Sequence, residues 1–308
     1  MHRGPDRPSL PGRSARAANE QGRVSTSFTC RCHDQLGRGG SDATRRRLQA
    51  GRSVVSDVRP LDLSRCATAQ LVNLGAGTGR WLLQESRRLG VEHPLGIDIN
   101  RAKVAQAQAS GLPVYQADLT QLDPGVFPSV KVVVLDNVLE HLPTLEAIEA
   151  VFNKACAIAS HVVYIRHPSF EDEKYLADLG LKQYWTDWPG VHLSHVRMFE
   201  FVAMAARAGV HSFTVRPLKR AVSSDDPTIL PAGAPPNQHK RVRGPGTYGV
   251  YDAKIHGVKA SVDFDRPVYF AHDAFFFLRT DAPAVEYRED TDQAVAHPHL
   301  VWPGRRAS

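Results

Sequence analysis

The 308-residue sequence predicts an α/β fold built on a mostly parallel sheet, on three observations. From about residue 69 onward, short apolar runs alternate with amphipathic stretches, which is the pattern of β-α units. The apolar run Leu71–Leu74 enters the turn Gly75-Ala-Gly-Thr-Gly79, where glycines let the backbone turn tightly and approach a ligand closely. A second apolar run ends at Asp98, about twenty residues after the last glycine, where a carboxylate can accept hydrogen bonds from ribose hydroxyls.

Taken in order, the apolar runs place strands at 70–75, 94–98, 113–116, 131–136, 161–166, 211–216 and 273–279. Helical spacing occupies 79–89, 101–110, 144–158 and 197–209; within the third, Leu145, Ile148, Val151 and Phe152 share one face. The fourth ends in Met204-Ala-Ala-Arg-Ala-Gly209, strong helix formers followed by a glycine suited to the left-handed stop. Two segments exceed the minimal alternation, 167–196 and 217–272; loops of such length are functional or disordered as a rule. Aromatic and alternating apolar residues from Tyr248 to Phe270 favour an ordered insertion containing a hairpin.

The formal charge of +6 is unevenly placed. Residues 1–65 hold 13 Arg and no Lys against 6 acids, so the rest of the chain sits near −1. This gives little support to a groove that tracks phosphates, and no nucleic-acid partner is expected. Rich in Arg, Gly, Ser and Pro, residues 1–65 read as a disordered basic tail. Two other readings stay open: a transit peptide, although Asp6, Glu20, Asp34 and Asp42 interrupt it, or residues ahead of the true start. The expected domain spans 66–285, with 286–308 as a C-terminal tail. Cysteines at 30, 32, 66 and 156 do not make a disulfide framework for a chain this long. Cys30-Arg-Cys-His33 lacks a matching ligand pair. No run of about eighteen apolar residues occurs, so a cytoplasmic protein without a membrane span is expected.

A Gly-x-Gly turn serves several nucleoside cofactors, and the third position discriminates. A dinucleotide site wants Gly or Ala three residues after Gly77, so that a helix N-terminus can approach a pyrophosphate. Arg80 stands there, and no Walker lysine follows. Four blocks occur in order: Asn73-Leu-Gly-Ala-Gly-Thr-Gly79, Gly96-Ile-Asp98, Gln116-Ala-Asp-Leu119 and Leu135-Asp-Asn-Val-Leu-Glu-His-Leu142. In these the chain resembles the class I S-adenosylmethionine-dependent methyltransferases, in their small-molecule subgroup, over residues 69–216.

The resemblance implies a Rossmann-like methyltransferase fold, a mostly parallel seven-stranded sheet whose last strand is antiparallel, with S-adenosylmethionine as cofactor. By that likeness Asn73, Gly75, Ala76, Gly77 and Gly79 pass under the methionine part of the cofactor and Asp98 binds the ribose. Ile99 lies against the adenine, Asp118 and Leu119 meet its edge, and Asp136 and Asn137 line the cofactor and substrate side. An NAD-dependent oxidoreductase and a non-catalytic cofactor-binding module are the alternatives.

Methyl transfer is an in-line displacement at an activated carbon, so positioning supplies much of the rate, and a base serves only acceptors that lose a proton. Candidates for that base are His141, His167, His192 and His195; Glu140 and His141 equally suit support of the helix that follows. A metal at His192, His195 and Asp187 is a weaker reading, and no metal site is expected. The chain lacks the Asn/Asp-Pro-Pro-aromatic motif, the Pro-Cys nucleophile and the double-glutamate hairpin of macromolecule-directed relatives. A small-molecule or saccharide-like acceptor is therefore the expected partner, with Trp185 and Trp188 as a ring platform.

Overall fold

The structure, a computed structural model, describes residues 58–188, 190–236, 242–244, 247–249, 251–289 and 296–304. Cys30, Cys32 and His33 lie outside them, as does the expected tail up to residue 57. The chain becomes regular earlier than its composition implied. Helix α1 (Leu63–Thr68) is capped by Asp62, whose Oδ1 accepts from the Ser64 and Arg65 amides at 3.0 and 3.3 Å, and it buries Cys66 completely.

Then follow β1 (Leu71–Leu74), α2 (Leu82–Arg88), β2 (Pro94–Asp98), α3 (Arg101–Ala109), β3 (Val114–Gln116), β4 (Val132–Asp136), α4 (Leu145–Ile158) and β5 (Val162–Pro168). Next come α5 (Glu173–Asp178), β6 (Leu181–Gln183), α6 (Met198–Arg207), β7 (Ser212–Ser223) and β8 (Ile229–Pro231). The chain finishes with β9 (Val242–Gly244), β10 (Thr247–Gly249), α7 (Ala253–His256), β11 (Asp263–Phe277), β12 (Ala284–Glu289) and β13 (Ala296–Val301). Seven strands form one sheet in the order β3-β2-β1-β4-β5-β11-β7; β11 runs antiparallel to both neighbours and the other pairings are parallel. This is the expected Rossmann-like methyltransferase fold. Strand order reverses between β1 and β4, and ligands of open α/β sheets bind at such a switch point, beyond the carboxyl ends of the strands.

The central strands are buried on both faces, which is why they read as unbroken apolar runs. One face, with Val72, Leu135, Val163 and Ile165, packs against Ile148, Val151, Phe152 and Ala155 of α4 and Phe201 and Met204 of α6. The other, with Leu71, Val134, Val162, Tyr164 and Phe275, packs against Leu82 of α2 and Val104 of α3. Local signals end the helices as expected: Thr144 Oγ1 caps α4 by accepting from the Ala147 amide, and Gly209 takes φ 77° after α6.

The two last strands of the sheet are much longer than their expected ranges of 211–216 and 273–279. β7 and β11 stay paired from Ser212↔Phe277 to Ser223↔Asp263, with a register shift between Asp263 and Val268. Pro217 punctuates the sequence, but β7 is the sheet's edge, where a missing ladder donor is tolerated. The two ends of the 217–272 insertion thus form a ribbon continuing the sheet, while β8 pairs β6 and β9 pairs β10. β12 and β13, most of whose residues fall in the segment read as a tail, pair antiparallel, and their Val285 and Leu300 pack on the second face of the sheet.

Candidate active site

The glycine turn after β1 is tied to β2: the Gly75 and Ala76 amides both donate to the Ile97 carbonyl, at 2.8 and 2.9 Å. Gly75 has φ 90°, and a Cβ there would strike Val138 just past β4, so the turn lies directly against the switch point. The Gly77 amide donates to Asp98 Oδ2 and the Asn100 amide to Asp98 Oδ1, each at 2.7 Å. Two amides occupy only part of a carboxylate's acceptor capacity of about four lone pairs. Asp98 is therefore aimed and held while keeping sites for two further donors. Ile99, beside it, is 55% exposed, an apolar surface of a kind a planar base covers. Leu119 is buried, and exposed Asp118 accepts through Oδ1 from the amide and hydroxyl of Thr120, both at 2.8 Å.

Asn73 points elsewhere. It is buried, and its side-chain amide donates to Glu85 Oε2 of α2 at 2.7 Å. Asp136 and Asn137 lie where β4 ends; Asn137 adopts φ 49°, and its side-chain amide donates to Asp136 Oδ1 at 2.7 Å. Both border a cavity of about 280 Å³, whose walls include Trp81, Tyr184 and Phe270 as aromatic groups and Arg80, Arg166 and Lys219 as cations. Beneath it Arg166 of β5 binds Asp273 of β11 through Nε–Oδ1 at 2.7 Å and Nη2–Oδ2 at 2.9 Å, and the Tyr164 hydroxyl donates to the same Oδ1. Removal from water, reinforced by the charge of Asp136, pushes the Glu85 carboxyl up to about 7. Desolvation also raises Asp136, to about 6, against the opposing pull of Arg166.

The four histidines named from the sequence do not line this cavity. They gather on the other side of the strand ends, around Glu140 and Phe170. Fully buried His167 has Nδ1 3.5 Å from Glu140 Oε2. The His141 and His192 rings meet edge to face with centroids 5.2 Å apart, and His192 stacks on Trp188. His195 stacks on Phe170 and pairs with Glu173 at 2.6 Å. The side chains of Trp185 and Asp187 lie outside the described residues.

Sequence reasoning missed Glu85, Tyr164, Arg166 and Asp273. Arg166 and Asp273 stand 107 residues apart and meet only because β5 and β11 are neighbours; no spacing rule signals that. Glu85 falls with Leu82 and Ser86 among the buried residues of α2, and a carboxylate at helical spacing from Leu82 and Leu89 was the available signal.

No family model and no curated protein matches the chain. Among solved structures, it is similar to a SAM-dependent methyltransferase from Archaeoglobus fulgidus, at 13% identity over 68% of this chain and 86% of that one, with a TM-score of 0.45. It is also similar to the magnesium protoporphyrin IX methyltransferase of Synechocystis with bound SAH, at 18% identity over 60% and 84% of the two chains, TM-score 0.36. A possible histamine N-methyltransferase from Thermotoga maritima shares 12% identity over 70% and 87%, TM-score 0.40. Likeness at this level leaves the function to the chain's own residues.

Proposed function

We propose that this chain is an S-adenosylmethionine-dependent methyltransferase acting on a small-molecule acceptor. The observation that carries the reading is Asp98: a carboxylate at the end of β2, held by the Gly77 and Asn100 amides and flanked by exposed Ile99. That set fits a nucleoside, with charge-assisted bonds from ribose hydroxyls to Asp98 and apolar contact between base and Ile99. Gly75, Ala76, Gly77 and Gly79 form the floor of the crevice, Asp118 and Leu119 its adenine end, and Asp136 and Asn137 its border with the acceptor. Asn73 acts through Glu85 in this assignment.

Bound S-adenosylmethionine supplies an electrophilic methyl group carried on a positive sulfonium. The chain's own work is to orient the acceptor, exclude water and accept a proton. A cavity of about 280 Å³ lies at the low end of small-molecule sites; its aromatic walls suit a ring, and its cations suit an anionic or hydroxylated part. Glu85 and Asp136, raised to about 7 and 6, are poised near neutrality, and we assign the acceptor's proton to this pair rather than to His141, His167, His192 or His195. We place the protein in the cytoplasm, in keeping with its free thiols Cys66 and Cys156; no described helix is long and apolar enough to cross a membrane.

The test is label transfer from methyl-labelled S-adenosylmethionine to a library of small hydroxyl, amine and carbon acceptors. Methylation of a member is expected. Cofactor binding with no transfer to any member would reduce the chain to a binding module.

A further inference from the structure

Glu140, His141 and His192 converge from two separate segments. Glu140 and His141 belong to the short turn Leu139–His141 after β4, and His192 to the 167–196 insertion. One ligand atom from each lies within 4.8 Å of the other two. Four hydrogen bonds staple the segments together. The Leu193 and Ser194 amides donate to the Glu140 carbonyl at 2.7 and 3.2 Å, the Ser194 hydroxyl donates to the Leu142 carbonyl at 2.7 Å, and His141 Nδ1 bonds the Val191 carbonyl at 2.8 Å.

The last bond settles the His141 tautomer. A carbonyl only accepts, so Nδ1 carries the proton, and in the neutral ring Nε2 presents its lone pair toward Glu140 Oε1, 3.9 Å away. That separation is too long for a hydrogen bond. A ring nitrogen donating to a backbone carbonyl while the other faces a carboxylate is the orientation in which proteins hold metal-ligating imidazoles. Glu140 points the same way independently. It is 1% exposed, neither carboxylate oxygen makes a geometric hydrogen bond, and the His167 and His141 rings stand nearby as its ionic partners. Its Oε2 faces His167 Nδ1 at 3.5 Å, and its Oε1 faces His141 Nε2.

We propose that Glu140, His141 and His192 form a binding site for one divalent first-row transition-metal ion. Two imidazoles and a carboxylate suit Zn²⁺, Co²⁺ or Mn²⁺ better than Ca²⁺ or Mg²⁺, which take mainly oxygen ligands. Ligands at about 2.0–2.2 Å from a shared ion stand roughly 3–4 Å apart, so binding draws the present cluster slightly inward. Three protein ligands leave a coordination position open, and His141, at 39% side-chain exposure, puts that position within reach of solvent. Beside the end of β4, the open position would take water or an oxygen of a bound molecule. The site stands apart from the methyltransferase reading, since none of its ligands belongs to the Asp98 crevice.

The test uses the full chain, freed of metal with a chelator and titrated with Co²⁺ by visible absorption and calorimetry. One saturable equivalent is expected, with His141→Ala and His192→Gln each weakening it at least tenfold while thermal melting of the metal-free variants stays cooperative. Absence of saturable Co²⁺ binding, or binding unaltered in His141→Ala, overturns the site. A parallel titration of the metal-free protein with S-adenosylhomocysteine reports on the nucleoside crevice alone, so failure of one assignment is distinguishable from failure of the other.

Discussion

Arg166 and Asp273 stand directly opposite one another on antiparallel β5 and β11 and form a two-bond ion pair beneath the cavity, with Asp273 fully buried. Buried pairs of this kind owe their worth to completeness: removing one partner leaves an uncompensated charge and costs about 3–5 kcal/mol. Asp273→Asn is therefore expected to lower unfolding stability by that amount in urea titrations. Tyr164→Phe, which deletes one hydrogen bond to the same carboxylate, is expected to cost only about 1 kcal/mol. Equal effects from the two substitutions would mean that the pair is not the element that locks β5 to β11.

Gly79 has φ 67°, and a Cβ there would lie 2.7 Å from Val114 Cγ2. The left-handed backbone costs a non-glycine residue about 1–2 kcal/mol, and overpacking adds about 1–3. Gly79→Ala is expected to lose both in the wild-type background, and to lose less when combined with Val114→Ala, which removes the closest obstructing methyl and leaves the backbone share and the Leu112 side chain at 3.1 Å. A double-mutant cycle of denaturant midpoints measures that coupling, and additive effects would show that the turn does not press on β3.

Glu85 carries a pH signature. Its carboxyl moves from 4.5 to about 7 through burial first and the charge of Asp136 second. An acid raised in the folded state gives stability that is complete below the unfolded value and is lost as pH rises through the folded one. Wild-type protein should thus lose up to roughly 3 kcal/mol from this group across that window, and Glu85→Gln, which keeps an acceptor for Asn73, should not. The stability difference between the two is expected to grow from pH 4.5 to about pH 8; a constant difference would contradict the shift.

The C-terminal hairpin packs on the sheet face that also carries α2 and α3. The Trp302 indole donates to the Leu89 carbonyl at 2.8 Å, and its ring receives Lys131. Trp302→Ala is expected to cost roughly 2–3 kcal/mol through lost packing and one hydrogen bond, and Trp302→Phe about 1 kcal/mol. Thermal melting of both variants checks this, and wild-type stability in Trp302→Ala would leave the hairpin undocked in solution.

What the sequence made legible was local. The Gly75–Gly79 turn and Asp98 could be read because backbone geometry demands glycine, and a strand end demands a short acceptor, within one β-α unit. Long parallel strands were legible as apolar runs because both of their faces are buried. The cavity was not, because Glu85, Arg166 and Asp273 come from three elements whose neighbourhood is set by sheet order rather than spacing. His141 and His192 were each visible as histidines near a strand end, but their shared approach to Glu140 depends on how the 167–196 insertion folds back. The length of β7 and β11 was hidden by Pro217, which an edge strand tolerates and a central one does not.

The central claim is that Asp98 holds the ribose of S-adenosylmethionine, and calorimetric titration with S-adenosylhomocysteine tests it most directly. Wild-type protein is expected to bind it more tightly than NAD, and Asp98→Ala to weaken it by about 1.5–3 kcal/mol through loss of charge-assisted bonds. Unchanged affinity in Asp98→Ala, or tighter binding of NAD, would contradict the account.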